Sequence, residues 1–222
     1  MDDVVSVEGL EWCEGKVRRI GLTGLTSKIL CTRHNNALSE VDVGGIKAFD
    51  TFRQGTRLSN VRSALRPRIW QVERTTINGP LLERWLLKTL INFTYGRDLP
   101  IGRDNLSPGK PSEQLVRIAF GLDRFVAGAG LYIIGHPGQK IFSVEKVSVA
   151  SMLEKNEYVA GGFYIFRGNR FVLYLDSKGL PEKLTGVRVE NEDWGIARPV
   201  FHPTALRFNV GKHLSHVIEF VW

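Results

Sequence analysis

The hydrophobic period of this chain changes for good between the helical pattern that ends near residue 122 and the strand pattern that begins at 131. That change constrains the fold more than any other feature. Over 81–95 (LLERWLLKTLINFTY), Leu81, Leu82, Trp85, Leu86, Thr89 and Leu90 recur on the helical period and make a wide apolar stripe. Pro80 suits the first turn and Gly96 stands just past the end, so the stretch reads as a core helix. Ser112 is placed to cap a second helix through Leu115, Ile118, Ala119 and Leu122. Between them, residues 97–111 hold three prolines and two glycines and read as a linker or a functional loop. Strands are expected at 131–134, 141–149, 163–167, 171–175, 186–190, 206–210 and 214–221. Gly168-Asn169, set between two aromatic runs, is a two-residue hairpin signal. The expected class is α+β, with the central helices packed on a C-terminal antiparallel sheet.

A chain of 222 residues can bury a sizeable core, and 43% hydrophobic with 24% charged residues is ordinary for a globular protein. No apolar run of about 18 residues is present, so no membrane span is expected. The acidic start, Met1-Asp2-Asp3-Val4, does not read as a secretory signal. With only Cys13 and Cys31, a disulfide framework is not expected and a reducing, cytoplasmic location is.

The formal charge is +7, and its distribution is uneven. Residues 53–74 hold six arginines and one acid, a net +5 in 22 residues. Arginine is the better fork for phosphate oxygens, so Arg53, Arg57, Arg62, Arg66 and Arg68 are candidate contacts to DNA or RNA. A short helix over 57–66, ended by Pro67, would place Arg62 and Arg66 on one face. A solvated basic face with no partner is the alternative. Residues 69–76 (IWQVERTT) read as a strand, with a turn at Asn78-Gly79.

Chemically capable side chains crowd together once, in KILCTRHNNALSEVD over 28–42. Cys31-x-x-His34 is half a zinc site by spacing; a structural zinc takes four donors. The string Ile29-Leu30-Cys31-x-x-His34-Asn35-x-x-Leu38-Ser39-x-x-Asp42 resembles the second half of an HNH finger, the ββα-metal, treble-clef module of many small endonucleases. The resemblance covers roughly residues 16–53. It implies that Cys31 and His34 hold a structural zinc, and that Asn35 falls on the catalytic position that helps hold a divalent metal. Strands at 16–22 and 27–31 would precede a helix capped by Ser39, with Asp42 as the capping-box acid. That helix would run through Ile46, Phe49 and Phe52 to a stop at Gly55. A small, incomplete treble-clef-like element over 1–55 would then join an α+β domain over 56–222, helical at 80–124 and mostly β at 131–222.

The chain departs from the family's pattern. No histidine precedes His34, Cys13 is the one earlier cysteine, and the orienting asparagine falls near Thr26. Without a general base, phosphodiester hydrolysis is not expected. The sequence therefore points to a nucleic-acid-associated protein with a degenerate finger and little or no nuclease activity. The alternatives are an active HNH-type metal-dependent endonuclease whose start lies upstream, and a non-catalytic protein- or ligand-binding domain.

Elsewhere no nucleophile elbow or Walker loop occurs, and Gly128-x-Gly130 precedes a strand instead of following one. His213-x-x-His216 has ligand-like spacing, but strand geometry turns the two to opposite faces. His136 and His202, each followed by proline, read as turn residues. Phe163, Tyr164, Phe166, Phe171 and Tyr174 read as core, with a base-stacking platform as the alternative.

Overall fold

The computed structural model describes residues 4–7, 16, 18–21, 30–66, 69–103, 105, 107–135, 147–155, 157–180 and 198–222. In chain order, β1 (Val4–Val7) pairs with β2 (Arg18–Gly21), and α1 (Thr32–Ala37) leads through Leu38 into α2 (Ser39–Ser63). Next come β3 (Glu73–Asn78), α3 (Gly79–Thr94) and α4 (Glu113–Ala119). The β half holds β4 (Gly130–Gly135), β5 (Val147–Glu154), β6 (Tyr158–Phe166), β7 (Asn169–Tyr174), β8 (Arg198–Phe201), β9 (Ala205–Val210) and β10 (His213–Val221). The expected strand at 186–190 and most of the one at 27–31 lie outside the described residues.

The class is α+β. One sheet has five antiparallel strands in the order β5-β6-β7-β4-β8. The other has three, β3-β10-β9: β9 and β10 run antiparallel, and β3, from the helical half, joins parallel to β10 with Ile218 opposite Thr75. A parallel neighbour needs a long crossover, and β3 reaches it from the helical half of the chain.

Helix α3 organises the core. The Asn78 side chain accepts the Leu81 N–H at 2.8 Å, so Asn78-Gly79 is a helix start and not a turn. Leu82, Leu86, Leu87 and Leu90 are all buried, each contributing ~2 kcal/mol. They pack with Phe52 of α2, Ile218 and Phe220 of β10, and Tyr164, Phe166 and Phe171 of the larger sheet. The Tyr164 hydroxyl donates to the Leu86 carbonyl at 2.7 Å. On the far face of that sheet Tyr132, Tyr158, Phe163, Val172 and Tyr174 form a second cluster. The aromatic run is thus core, with Phe163 and Tyr164 both buried, and presents no stacking platform. The β6–β7 hairpin turns at Arg167-Gly168, one residue earlier than expected, with φ of +50° and +79°. Both are left-handed, as a twist-matched type I′ turn requires.

Helix α2 differs most from expectation. Cys31, not Ser39, is the first N-cap, and Leu38 separates the two helices. Asp42 is not a capping acid; its carboxylate pairs with Lys88 of α3 at 2.6 Å. Gly55 does not stop the helix, which continues to Ser63 across position 55. The reason is packing. Val41, Gly45, Ala48, Phe52, Gly55 and Arg62 form one buried stripe, and glycine lies where neighbours approach closest. A Cβ on Gly45 would fall 2.4 Å from the Trp85 ring. Residues 97–111 are packed as well: Ile101 is fully buried and bridges Pro111 and Val159. None of the described helices is long and apolar enough to cross a membrane.

Candidate functional site

The cysteine–histidine pair lies on the first turn of α1. Cys31 holds extended backbone as N-cap, and the Asn35 N–H donates to its carbonyl at 2.9 Å. One turn later the His34 Nδ1 stands 3.3 Å from the Cys31 Sγ. Two tetrahedral ligands of one zinc are separated by about 3.5 Å, so the pair fits half of such a site. The His34 ring meets Phe120 edge-on, with centroids 5.8 Å apart. Both residues and Asn35 are exposed. No third histidine, cysteine or carboxylate stands with them among the described residues. Cys13 and most of the resembling stretch before Cys31 lie outside those residues.

The arginines do not form one face. Arg53 is exposed and pairs with Asp50 at 2.9 Å. Arg57 is exposed and makes no ion pair among the described residues. Arg66 is exposed beyond the end of α2, so it shares no helical face with Arg62. Arg62 corrects the expectation of a phosphate contact, because its guanidinium is spent internally. It is buried, donates to the Ser215 carbonyl and hydroxyl, pairs with Glu73 at 2.7 Å, and lies 5.0 Å over the Trp70 ring. Arg74 pairs with Glu219. Arg68 lies outside the described residues.

Beside Arg62, α2 and the smaller sheet enclose a cavity of about 290 Å³ lined by Gln54, Gly55, Arg57, Leu58, Val61, Glu73, Thr75 and His216. His216 forms its floor. The ring is 3% exposed and stacks on Phe208 at 4.2 Å between centroids. Its Nδ1 lies 3.3 Å from the Ser215 hydroxyl, and its Nε2 has no hydrogen-bond partner among the described residues. Loss of solvent, and then the nearby Arg62 cation, depress its pKa to about 4. Gly55 lets α2 lie directly against this edge of the ring, since a Cβ there would sit 2.9 Å from Nε2. From the sequence, Gly55 reads as a stop, and His216 as ligand-like in spacing but turned away from His213. The signal against a stop is periodic: Gly55 falls on the same buried stripe as Ala48 and Phe52.

A second polar cluster lies near the start of α3. Glu83 accepts the Leu131 N–H at 2.7 Å and pairs with His202 Nε2 at 2.9 Å. Burial pushes its carboxyl pKa up, against the two hydrogen bonds, which lower it. His202 is sandwiched between Phe201 and Trp222, each 4.0 Å away, and its φ is +44°. It is thus a turn residue, as its sequence implied, and also the partner of a buried acid. Gly130, at φ +125°, leaves room for the pair: a Cβ there would meet Glu83 Oε2 at 2.6 Å. No known family model, curated protein or solved structure matches this chain.

Proposed function

We propose that this chain is a nucleic-acid-associated protein that binds DNA or RNA through the outer side of α2 and carries little or no nuclease activity. The observation that carries the reading is the set of exposed cations on and just beyond that helix: Lys47, Arg53, Arg57 and Arg66. Arg57 has no competing acid among the described ion pairs, and arginine forks grip phosphate in two-point fashion. In this reading Cys31 and His34 are two donors of a structural zinc that would pin the start of α1. Asn35, an amide beside them, can orient a phosphate or a metal but cannot take a proton from water at neutral pH.

The test is fluorescence anisotropy with duplexes of unrelated sequence across a salt series. Binding should weaken as salt rises, because each phosphate contact releases counterions. Replacing Arg53 and Arg57 together by alanine should weaken every duplex alike and reduce the salt slope by about two. An affinity indifferent to salt and to the double variant would end the reading. The zinc is tested separately. About one zinc per purified chain, lost in His34→Ala, supports it; a metal-free parent removes it.

A further inference from the structure

The edges of the two main sheets are not alike. β8 carries Pro199, which has no N–H to offer a neighbour. β5 is broken by a bulge between Met152 and Leu153. β9 puts the exposed Arg207 in mid-strand. Each of these devices keeps another chain from pairing with a sheet edge. β3 has none of them. Its ladder to β10 runs without a bulge from Glu73 to Asn78, and it contains no proline. Its two charges are already taken, Glu73 by Arg62 and Arg74 by Glu219. Thr75 and Thr76 are exposed, and among the described residues no strand lies on the outer side of β3. Alternate residues of such a strand direct their N–H and C=O groups away from its one neighbour.

A helix flanks this edge. α2 lies over β10, with Gly55 against His216 and Ile218, and with Arg62 bonded to Ser215. In the ladder His216 stands opposite Glu73 and Ile218 opposite Thr75, so Glu73 and Thr75 face the same side as α2. Between them and the α2 flank that carries Gln54, Arg57, Leu58 and Val61 lies the cavity of about 290 Å³. Leu58 and Val61 make one wall apolar. Arg57, exposed at the rim, makes no ion pair among the described residues. An open strand edge with a pocket beside it is the geometry in which an extended peptide docks. Main-chain hydrogen bonds hold the peptide, and pockets for alternate side chains select it.

We propose that an extended segment of a partner protein docks here as a fourth strand on the outer side of β3. Its side chains alternate, so every second one faces α2. One of these is apolar, of valine or leucine size, and enters the cavity against Leu58 and Val61. The next on that face, two residues along, is acidic and pairs with Arg57. The site does not depend on nucleic-acid binding, although Arg57 serves both readings.

The test is amide NMR of the full chain titrated with short acetylated and amidated peptides. The probes are Thr-Val-Thr-Glu-Thr and its reverse, Thr-Glu-Thr-Val-Thr, which cover the two strand directions. The better of them should give saturable shifts at Val61, Arg74, Thr75 and Thr76. Methylating either the threonine nitrogens or the valine and glutamate nitrogens removes the donors of one peptide edge. The set that faces β3 should abolish binding, and the other set should be tolerated. Lysine in place of glutamate should weaken binding at least about fivefold, and Arg57→Glu, a change on the exposed rim, should reverse that preference. Val61→Ser should weaken peptide binding and leave duplex binding unchanged, whereas Arg53→Ala should do the reverse. The proposal is overturned by the absence of saturable shifts with both peptides, by equal binding of the lysine peptide, or by both methylated sets binding as well as the parent. It is also overturned if sedimentation equilibrium shows a dimer whose β3 amides shift with protein concentration alone, because a second copy then takes the edge.

Discussion

His202 and His216 sit in two regions built alike up to the last hydrogen bond. Each ring is stacked on an aromatic neighbour, His202 between Phe201 and Trp222 and His216 on Phe208. Each belongs to a polar chain that ties a helix to a strand end. In the first region the chain closes. Glu83 accepts from Leu131 and meets His202, while the Trp222 indole donates to the Pro203 carbonyl at 2.9 Å. In the second the chain runs from Glu73 through Arg62 and Ser215 to His216, and stops at a buried nitrogen with no partner among the described residues. Stacking holds an imidazole equally well in both. The count of donors and acceptors is what separates the two, because an unmet buried polar group costs about 1–3 kcal/mol and persists only where the surrounding packing compensates.

The sharpest break of this comparison is at Arg62. Arg62→Ala removes the link that both Glu73 and Ser215 use, and leaves the buried Ser215 carbonyl without its donor. A loss of about 3 kcal/mol is expected, read as a lowered urea midpoint at constant slope. Arg66→Ala, at an exposed position outside α2, should stay within about 0.5 kcal/mol. Equal effects would mean that Arg62 is not the buried strut described here.

The closed region is tested next. Glu83→Ala strands the Leu131 N–H and the His202 ring, and should destabilise by about 2 kcal/mol. Glu83→Gln keeps an acceptor for Leu131 and removes a buried charge, so it should cost less than half as much. A glutamine variant as unstable as the alanine one would show that the charge itself holds the clamp.

The two regions also respond to acid in opposite senses. His216 folds with its pKa lowered to about 4, so the unfolded chain binds a proton first as pH falls. Its contribution is whole above the ordinary histidine value of about 6.5 and drains away down to about pH 4, on the order of 3 kcal/mol in all. Glu83 folds with its pKa raised, so its burial is relieved as pH falls through the folded value. Stability measured against pH should therefore lose much of its slope between 6.5 and 4 in His216→Phe. An unchanged slope would mean that His216 is not the group responsible.

The smallest effect is the most telling. Near pH 7, His216→Phe should change stability by less than about 0.5 kcal/mol, or raise it, because it deletes an unmet buried nitrogen and keeps the stack. His202→Phe keeps its stack too but takes away the Glu83 partner, and should cost about 1 kcal/mol. The reverse order would put the unmet group at His202.

Much of the architecture was legible from local pattern. The α3 stripe, the cap at Ser112, the hairpin after Phe166 and the α+β order of the chain all depend on neighbours in sequence, and period and turn chemistry report those directly. The contact between Cys31 and His34 was legible for the same reason, being one helical turn apart. Pairings across the chain were not. Nothing in the run Glu73–Asn78 tells that it lies parallel to a strand more than a hundred residues later. Nor does the row of arginines tell which one turns inward, since an arginine beneath a sheet and one in water are the same letter.

What the sequence determined by itself is the set of elements and their faces, because helix and strand periods are written in residues a few positions apart. Tertiary structure alone decided that Gly55 carries a crossing instead of an end, that Arg62 is a strut, and that His216 is buried against Gly55. Each of these rests on which distant atom arrives within about 3 Å, and that is settled only when α2 lies down on β10.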